Sequence, residues 1–134
     1  MTTMQSAEAA EPVFVDTSVL VAIAFAEPDV AEWTARLNRS PLRFASPLLE
    51  AEFLSACRRE RRTGAWPQAQ LQFIYPSRAL TPELEQVLAA GYLRGADCWH
   101  LATALFVAED PRTLRFLTRD AAQRQVAERL GFAT

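Results

Sequence analysis

Acids stand at four places in the chain where strands and helices would meet: Asp16, Glu50 or Glu52, Asp97 and Asp120. Taken singly, each has a plain explanation, because Asp is a favoured N-cap residue and an acid in the first helical turn complements the helix dipole. Taken together they suggest a site. Carboxylates within about 4 Å of one another repel by about 1 to 4 kcal/mol per pair at effective dielectric constants of about 80 to 20, and a divalent cation removes that repulsion. Oxygen donors point to Mg²⁺ or Mn²⁺, whereas zinc would call for His or Cys.

The acids can meet only if the elements around them bring them to one edge. Residues 13–16, "VFVD", read as a buried strand that stops on Asp16, and "TSVLVAIAFA" reads as an apolar helix ending before Glu27-Pro28. A second helix follows, with Val30, Trp33 and Leu37 at helical spacing and Asn38 as its terminator. "RFAS" is a second strand, and Ser46-Pro47 opens a helix through "LLEAEFLSACRRERR" that is expected to end near Gly64. Between Trp66 and Leu80 the pattern predicts a short helix around "PQAQLQF" and an extended piece near Ile74. Thr81-Pro82 starts "PELEQVLAAGYL", a turn falls at Gly95, and Asp97 is expected to cap "CWHLATALFVAE". "TLRFLT" is a further strand that delivers Asp120 to the amphipathic helix "AAQRQVAERL", which ends on Gly131. A last short strand at "FAT" is possible by pattern. Strands alternating with helices imply a mostly parallel central sheet covered on both faces, a three-layer α/β/α sandwich, with sites at the carboxyl ends of strands.

Composition narrows the chemistry. The 134 residues fit one domain, half of them are hydrophobic, and the net charge is −2, so any polyanion must be held by a local patch or a metal. All 14 basic residues are Arg. Without lysine, Schiff-base chemistry is excluded, and so is a phospho-receiver domain, which needs a lysine beside its phosphorylated aspartate. Cys57 and Cys98 form no metal-like spacing and read as reduced core thiols. Residues 1–11 read as a frayed polar leader ahead of a single domain at 12–134. No secretory signal and no membrane span is evident, so a cytoplasmic protein is expected.

Four segments, "FVDTSVLVAIAF", "SPLLEAEFLSACRR", "LRGADCWHLATAL" and "FLTRDAAQRQVAERLGF", resemble in order and separation the signature blocks of the PIN-domain ribonucleases, specifically toxins of the VapC type from type II toxin–antitoxin pairs. The likeness spans roughly residues 12 to 132. It implies a PIN-like fold and a metal-dependent endoribonuclease that attacks RNA with a metal-activated water, forms a homodimer and is silenced by a cognate antitoxin. Carried onto this chain, the four metal-binding catalytic acids are Asp16, Glu52, Asp97 and Asp120, with hydroxyl support from Thr17 and Ser18. Glu50 is the rival to Glu52. The two face about 200° apart on a helix, and the resemblance favours Glu52, with Glu50 turned to solvent. Some relatives carry an extra acid just before the last one; Thr118 holds that position here, and the number of ions stays open.

The other polar candidates have ordinary readings. His100, the only histidine, follows Asp97 by three residues and reads as a packed histidine before a general base. The run "RRERR", Arg58 to Arg62, suits a solvated helix C-terminus, with RNA tracking as the alternative. Arg94 and Arg119 lie close to site acids and suit a substrate phosphate or the steadying of a carboxylate. Trp33, Trp66 and Trp99 read as core or interface anchors, Trp66 being the one suited to partner contact. Two functions compete with the toxin: a PIN-like nuclease of RNA maturation that needs no antitoxin, and a catalytically silent interaction module.

Overall fold

Val13, Phe14 and Val15 are all buried, and a three-residue apolar run of this kind can be satisfied only inside a sheet. The computed structural model describes residues 11–62 and 70–134. In it Val13–Val15 is β1, followed by α1 (Thr17–Ala24), α2 (Val30–Asn38), β2 (Arg43–Ala45) and α3 (Leu48–Arg59). The second half comprises β3 (Gln72–Phe73), α4 (Thr81–Ala90), α5 (Gly95–Val107), a 3₁₀ turn (Pro111–Thr113), β4 (Arg115–Leu117) and α6 (Ala121–Leu130).

The sheet order is β3-β2-β1-β4, and every pairing is parallel. Strand alternation then divides the core. Val13 and Val15 pack on one face with Leu20 of α1, Trp33 of α2 and Phe53 of α3. Phe14 and Phe116 turn to the other face, with Val87 of α4, Leu101 of α5 and Val126 of α6. Their rings stack at 5.7 Å between centroids and 9° between planes, joining adjacent strands across the register pair Phe14–Phe116. The result is the expected α/β/α sandwich. Because β1 and β4 are parallel neighbours, the residues that follow them, Asp16 and Thr118 to Asp120, emerge side by side at the carboxyl edge.

Several boundaries differ from the sequence expectation. Where a helix was expected around "PQAQLQF", residues 67–69 lie outside the described residues, and Gln72–Phe73 is strand β3, with Ile74 N–H donating to Ala45 O at 2.9 Å. Free backbone groups on the edge of β2 outweighed the weak helical pattern of a glutamine-rich segment. Helix α3 ends at Arg59, before the left-handed Arg61 (φ 53°), whereas Gly64 and Trp66 lie outside the described residues. Helix α5 starts at Gly95 with Arg94 at its N-cap, so Asp97 sits within the first turn and is not the cap. The C-terminal "FAT" contributes one parallel bridge, Arg115–Ala133, and Gly131 takes the left-handed φ of 104° that ends α6. Glu11 is tied down, its carbonyl accepting from Ser40 Oγ at 2.6 Å. Cys57 and Cys98 are buried and free, as expected of core thiols. Among the described residues no helix is long and apolar enough to cross a membrane.

Candidate active site

The strand stops on Asp16 because that carboxylate does two things at once. Oδ2 accepts from Ser18 N–H at 3.0 Å and caps α1, while Oδ1 accepts from Gln123 Nε2 at 3.2 Å across 107 residues. Asp120 is the counterpart at the end of β4. It caps α6 by accepting Gln123 N–H at Oδ1, 2.7 Å away, yet its side chain stays exposed. Thr118 and Ser18 link the two strand ends: Thr118 Oγ1 accepts from Asp120 N–H at 3.1 Å and lies 3.4 Å from Ser18 Oγ, which accepts from Arg119 N–H at 3.0 Å.

Glu52 arrives from α3 on the opposite side. Its Oε1 accepts from Thr17 Oγ1 at 2.7 Å and pairs with His100 Nε2 at 2.6 Å, whereas Glu50 is exposed and points to solvent. The hydrogen bond from His100 holds the Glu52 carboxyl below its ordinary range; Thr17 and the charge on His100 add to that effect, and burial opposes it. His100 is fully buried, and its Nε2 also lies 3.9 Å from Asp16 Oδ1. Burial works against its protonation, but the Glu52 bond and the charges of Asp16, Glu52 and Asp97 outweigh it and raise its pKa. Among the described residues its Nδ1 has no hydrogen-bond partner, so Nε2 carries the proton toward Glu52 whether the ring is neutral or charged. A side chain enclosed in this way steadies Glu52 and has no path to a substrate.

Asp97 reports the field of the whole group. Its carboxyl is pushed up by burial first, then by the negative charges of Asp16, Asp120 and Glu52, with His100 pulling the other way. Acids from the end of β1, from α3 and from the end of β4 therefore all act on Asp97 in the first turn of α5, despite their separation in sequence. A cleft of about 390 Å³ opens beside them, lined by Tyr92, Leu93, Arg94, Asp97, Asp120 and Ala122. Among the described residues no three acid, His or Cys side chains stand close enough to form a ready-made metal cage. The donors nonetheless suit a hard divalent cation: they are carboxylate oxygens, Glu52 is held in its charged form, and the mutual repulsion felt at Asp97 is what a cation would relieve.

The arginines separate. Arg94 is exposed on the wall of the cleft, whereas the guanidinium of Arg119 is engaged with Asp29, Nε to Oδ2 at 3.0 Å, on a carboxylate that also takes Trp33 Nε1 at 2.6 Å. The run from Arg58 to Arg62 is exposed and lies at the far end of α3, with Arg62 stacked over the Phe25 ring at 4.7 Å. Trp33 is core, and Trp99 is half-buried with Nε1 donating to Ser46 Oγ at 3.0 Å.

Gln123 escaped the sequence reading. Its signal was present: it shares a buried helical stripe with Val126 and Ala127, three and four positions on, and an amide in such a stripe must find partners. Asp29 was missed as well, since a helix-start acid gives no hint of a partner 90 residues away.

No curated protein and no solved structure matches the chain significantly. The profile of the PIN domain matches residues 13–129, so the chain belongs to the PIN-domain family, whose members are generally nucleases.

Proposed function

We propose that the protein is a metal-dependent endoribonuclease and the toxin of a toxin–antitoxin pair, with Asp16, Glu52, Asp97 and Asp120 as the residues that hold Mg²⁺ or Mn²⁺. The observation that supports this most strongly is the placing of Asp97 and Asp120 on one cleft, with the Asp97 carboxyl raised first by burial and then by the charges of Asp16, Asp120 and Glu52. Acids kept in mutual repulsion cost stability, and a structural core would have no use for them. A bound divalent ion supplies a water of lowered pKa and neutralises charge gathering on the phosphate. The chain's own residues provide the rest. Thr17 and His100 fix Glu52 in its charged form through one oxygen, Oε1. The caps at Asp16 and Asp120 each engage chosen carboxylate oxygens, which sets the direction of the others. Arg94, on the cleft wall, is our candidate for the RNA phosphate. Ser18 and Thr118 bind the two strand ends together beneath the site.

The toxin role, the homodimer and the antitoxin rest on the resemblance of four ordered blocks. An acidic site without its metal attracts a cation, which suits an antitoxin that presents a basic side chain. The test is cleavage of defined RNAs with Mg²⁺, with Mn²⁺ and with chelator, sequencing the cut ends. Metal-dependent internal cuts with 5′-phosphate and 3′-hydroxyl ends are expected, and cutting that persists in chelator would overturn the mechanism. Co-purification with the product of the neighbouring reading frame, with loss of cleavage, tests the pairing. A strict monomer at micromolar concentration would remove the dimer.

A further inference from the structure

Gln123 is fully buried, and all of its polar atoms are in use. Nε2 donates to Asp16 Oδ1 at 3.2 Å and to the Asp97 carbonyl at 3.3 Å. Oε1 accepts from Thr118 Oγ1 at 2.6 Å, and its backbone N–H donates to Asp120 Oδ1 at 2.7 Å. One neutral residue on α6 thus touches the carboxylate after β1, the first turn of α5 that carries Asp97, and the carboxylate after β4.

We propose that Gln123 is a positioning residue of the acidic site, an uncharged strut that sets Asp16, Asp97 and Asp120 at their working separation. This inference rests on the metal-dependent reading above. The chemistry requires an amide. At Nε2 the strut must donate to an anion and to a carbonyl, and at Oε1 it must accept from a hydroxyl that itself serves Asp120. A carboxylate in its place would meet Asp16 oxygen to oxygen, and an apolar side chain would leave Asp16 Oδ1 free to turn. Asp16 Oδ1 and the Asp97 carbonyl, which can only accept, fix which end of the amide faces the acids, and the Thr118 hydroxyl, accepting from Asp120 N–H, gives its own proton to Oε1. The strut thereby belongs to the same network that joins Ser18 to Thr118.

The experiment uses the full chain and three variants, Gln123→Met, Gln123→Glu and Asp16→Asn, with the double change Asp16→Asn/Gln123→Met. Mn²⁺ affinity is measured without RNA, on protein shown to be folded at the assay temperature, and melts are recorded in chelator and with Mn²⁺. Gln123→Met keeps the volume, so the fold is expected to survive while Mn²⁺ affinity falls about 10- to 100-fold, the usual effect of removing a partner that orients a metal-holding group. For cleavage, kcat should fall with KM for RNA little changed. Gln123→Glu should melt lower than the parent in chelator and recover more of that loss with Mn²⁺ than Gln123→Met does. Parental Mn²⁺ affinity in folded Gln123→Met would overturn the proposal and reduce Gln123 to core filling. If the parent itself binds no Mn²⁺, the metal reading fails by itself, and the strut is then judged in chelator. There the double variant should lose less than the sum of the two single losses, and strict additivity would refute contact between Gln123 and Asp16.

Discussion

Replacing His100 with leucine should change how stability depends on pH more than it changes stability itself. His100 is fully buried, with Nε2 at 2.6 Å from Glu52 Oε1 and Nδ1 without a partner among the described residues. Its pKa is raised in the folded state above the ordinary 6.5, so its contribution is complete below pH 6.5 and is lost as pH rises through the folded value. Over that interval the parent can lose at most about 1.4 kcal/mol per pH unit through this one proton. A hydrogen bond between charged groups is worth about 1.5 to 3 kcal/mol. The Glu52 side chain is 33% exposed, so water replaces part of that bond and the loss shrinks to about 1 to 2 kcal/mol. Leucine also removes the buried, unpartnered Nδ1, which returns some of the difference. In chelator, His100→Leu should therefore be less stable than the parent by about 1 to 2 kcal/mol near pH 5.5, and the gap should narrow as pH rises past the folded value, leaving only what the neutral Nε2–H bond to Glu52 contributes. Urea unfolding from pH 5 to 9 reads this directly. A gap that stays constant across the range would refute the charged pairing of His100 with Glu52.

Two further contrasts separate neighbours. Glu52→Gln should cut metal-dependent cleavage by at least about 10-fold, whereas Glu50→Gln, at an exposed position, should cleave like the parent; equal losses in side-by-side assays would contradict the geometry of α3. Arg94→Ala should weaken RNA binding in chelator and reduce its salt dependence by about one ion. Arg119→Ala should instead leave binding unchanged and lower the melting temperature slightly, because its guanidinium serves Asp29. Filter binding across a salt series distinguishes them.

The sandwich was legible because the apolar runs at β1 and β4 and the amphipathic α2 and α6 carry their periods openly, and because caps and the Gly131 stop mark their ends. Segments without such a period misled. The segment hinted at an extended piece near Ile74, but that Gln72–Phe73 would pair as a strand follows from the edge that β2 offers, which is held in the tertiary structure. Asp97 looked like a cap, yet the helix began two residues earlier at Gly95, and boundaries of this kind turn on small backbone preferences. Within the site, the acids could be singled out by type and position. Of the residues that orient them, His100 could be flagged by its place three residues after Asp97 but not its bond to Glu52, and Gln123 was passed over, since an amide or imidazole on an apolar stripe declares a need for partners without naming them.

Asp16→Asn separates a metal-holding Asp16 from one that only caps α1. Asparagine caps about as well as aspartate, so the Ser18 N–H bond of α1 should survive. Its amide group would then face Gln123 Nε2 where Oδ1 now stands at 3.2 Å, a donor-to-donor contact costing about 1 kcal/mol, offset by relief of the repulsion felt at Asp97. The measurement is RNA cleavage with Mn²⁺, paired with thermal melts with and without metal, for the parent and the variant. Asp16→Asn should cleave about 100-fold more slowly, keep a metal-free melting temperature within a few degrees of the parent, and lose the rise that Mn²⁺ gives the parent. Full cleavage by Asp16→Asn would make Asp16 a cap and nothing else, and would rule out a metal-holding role for it.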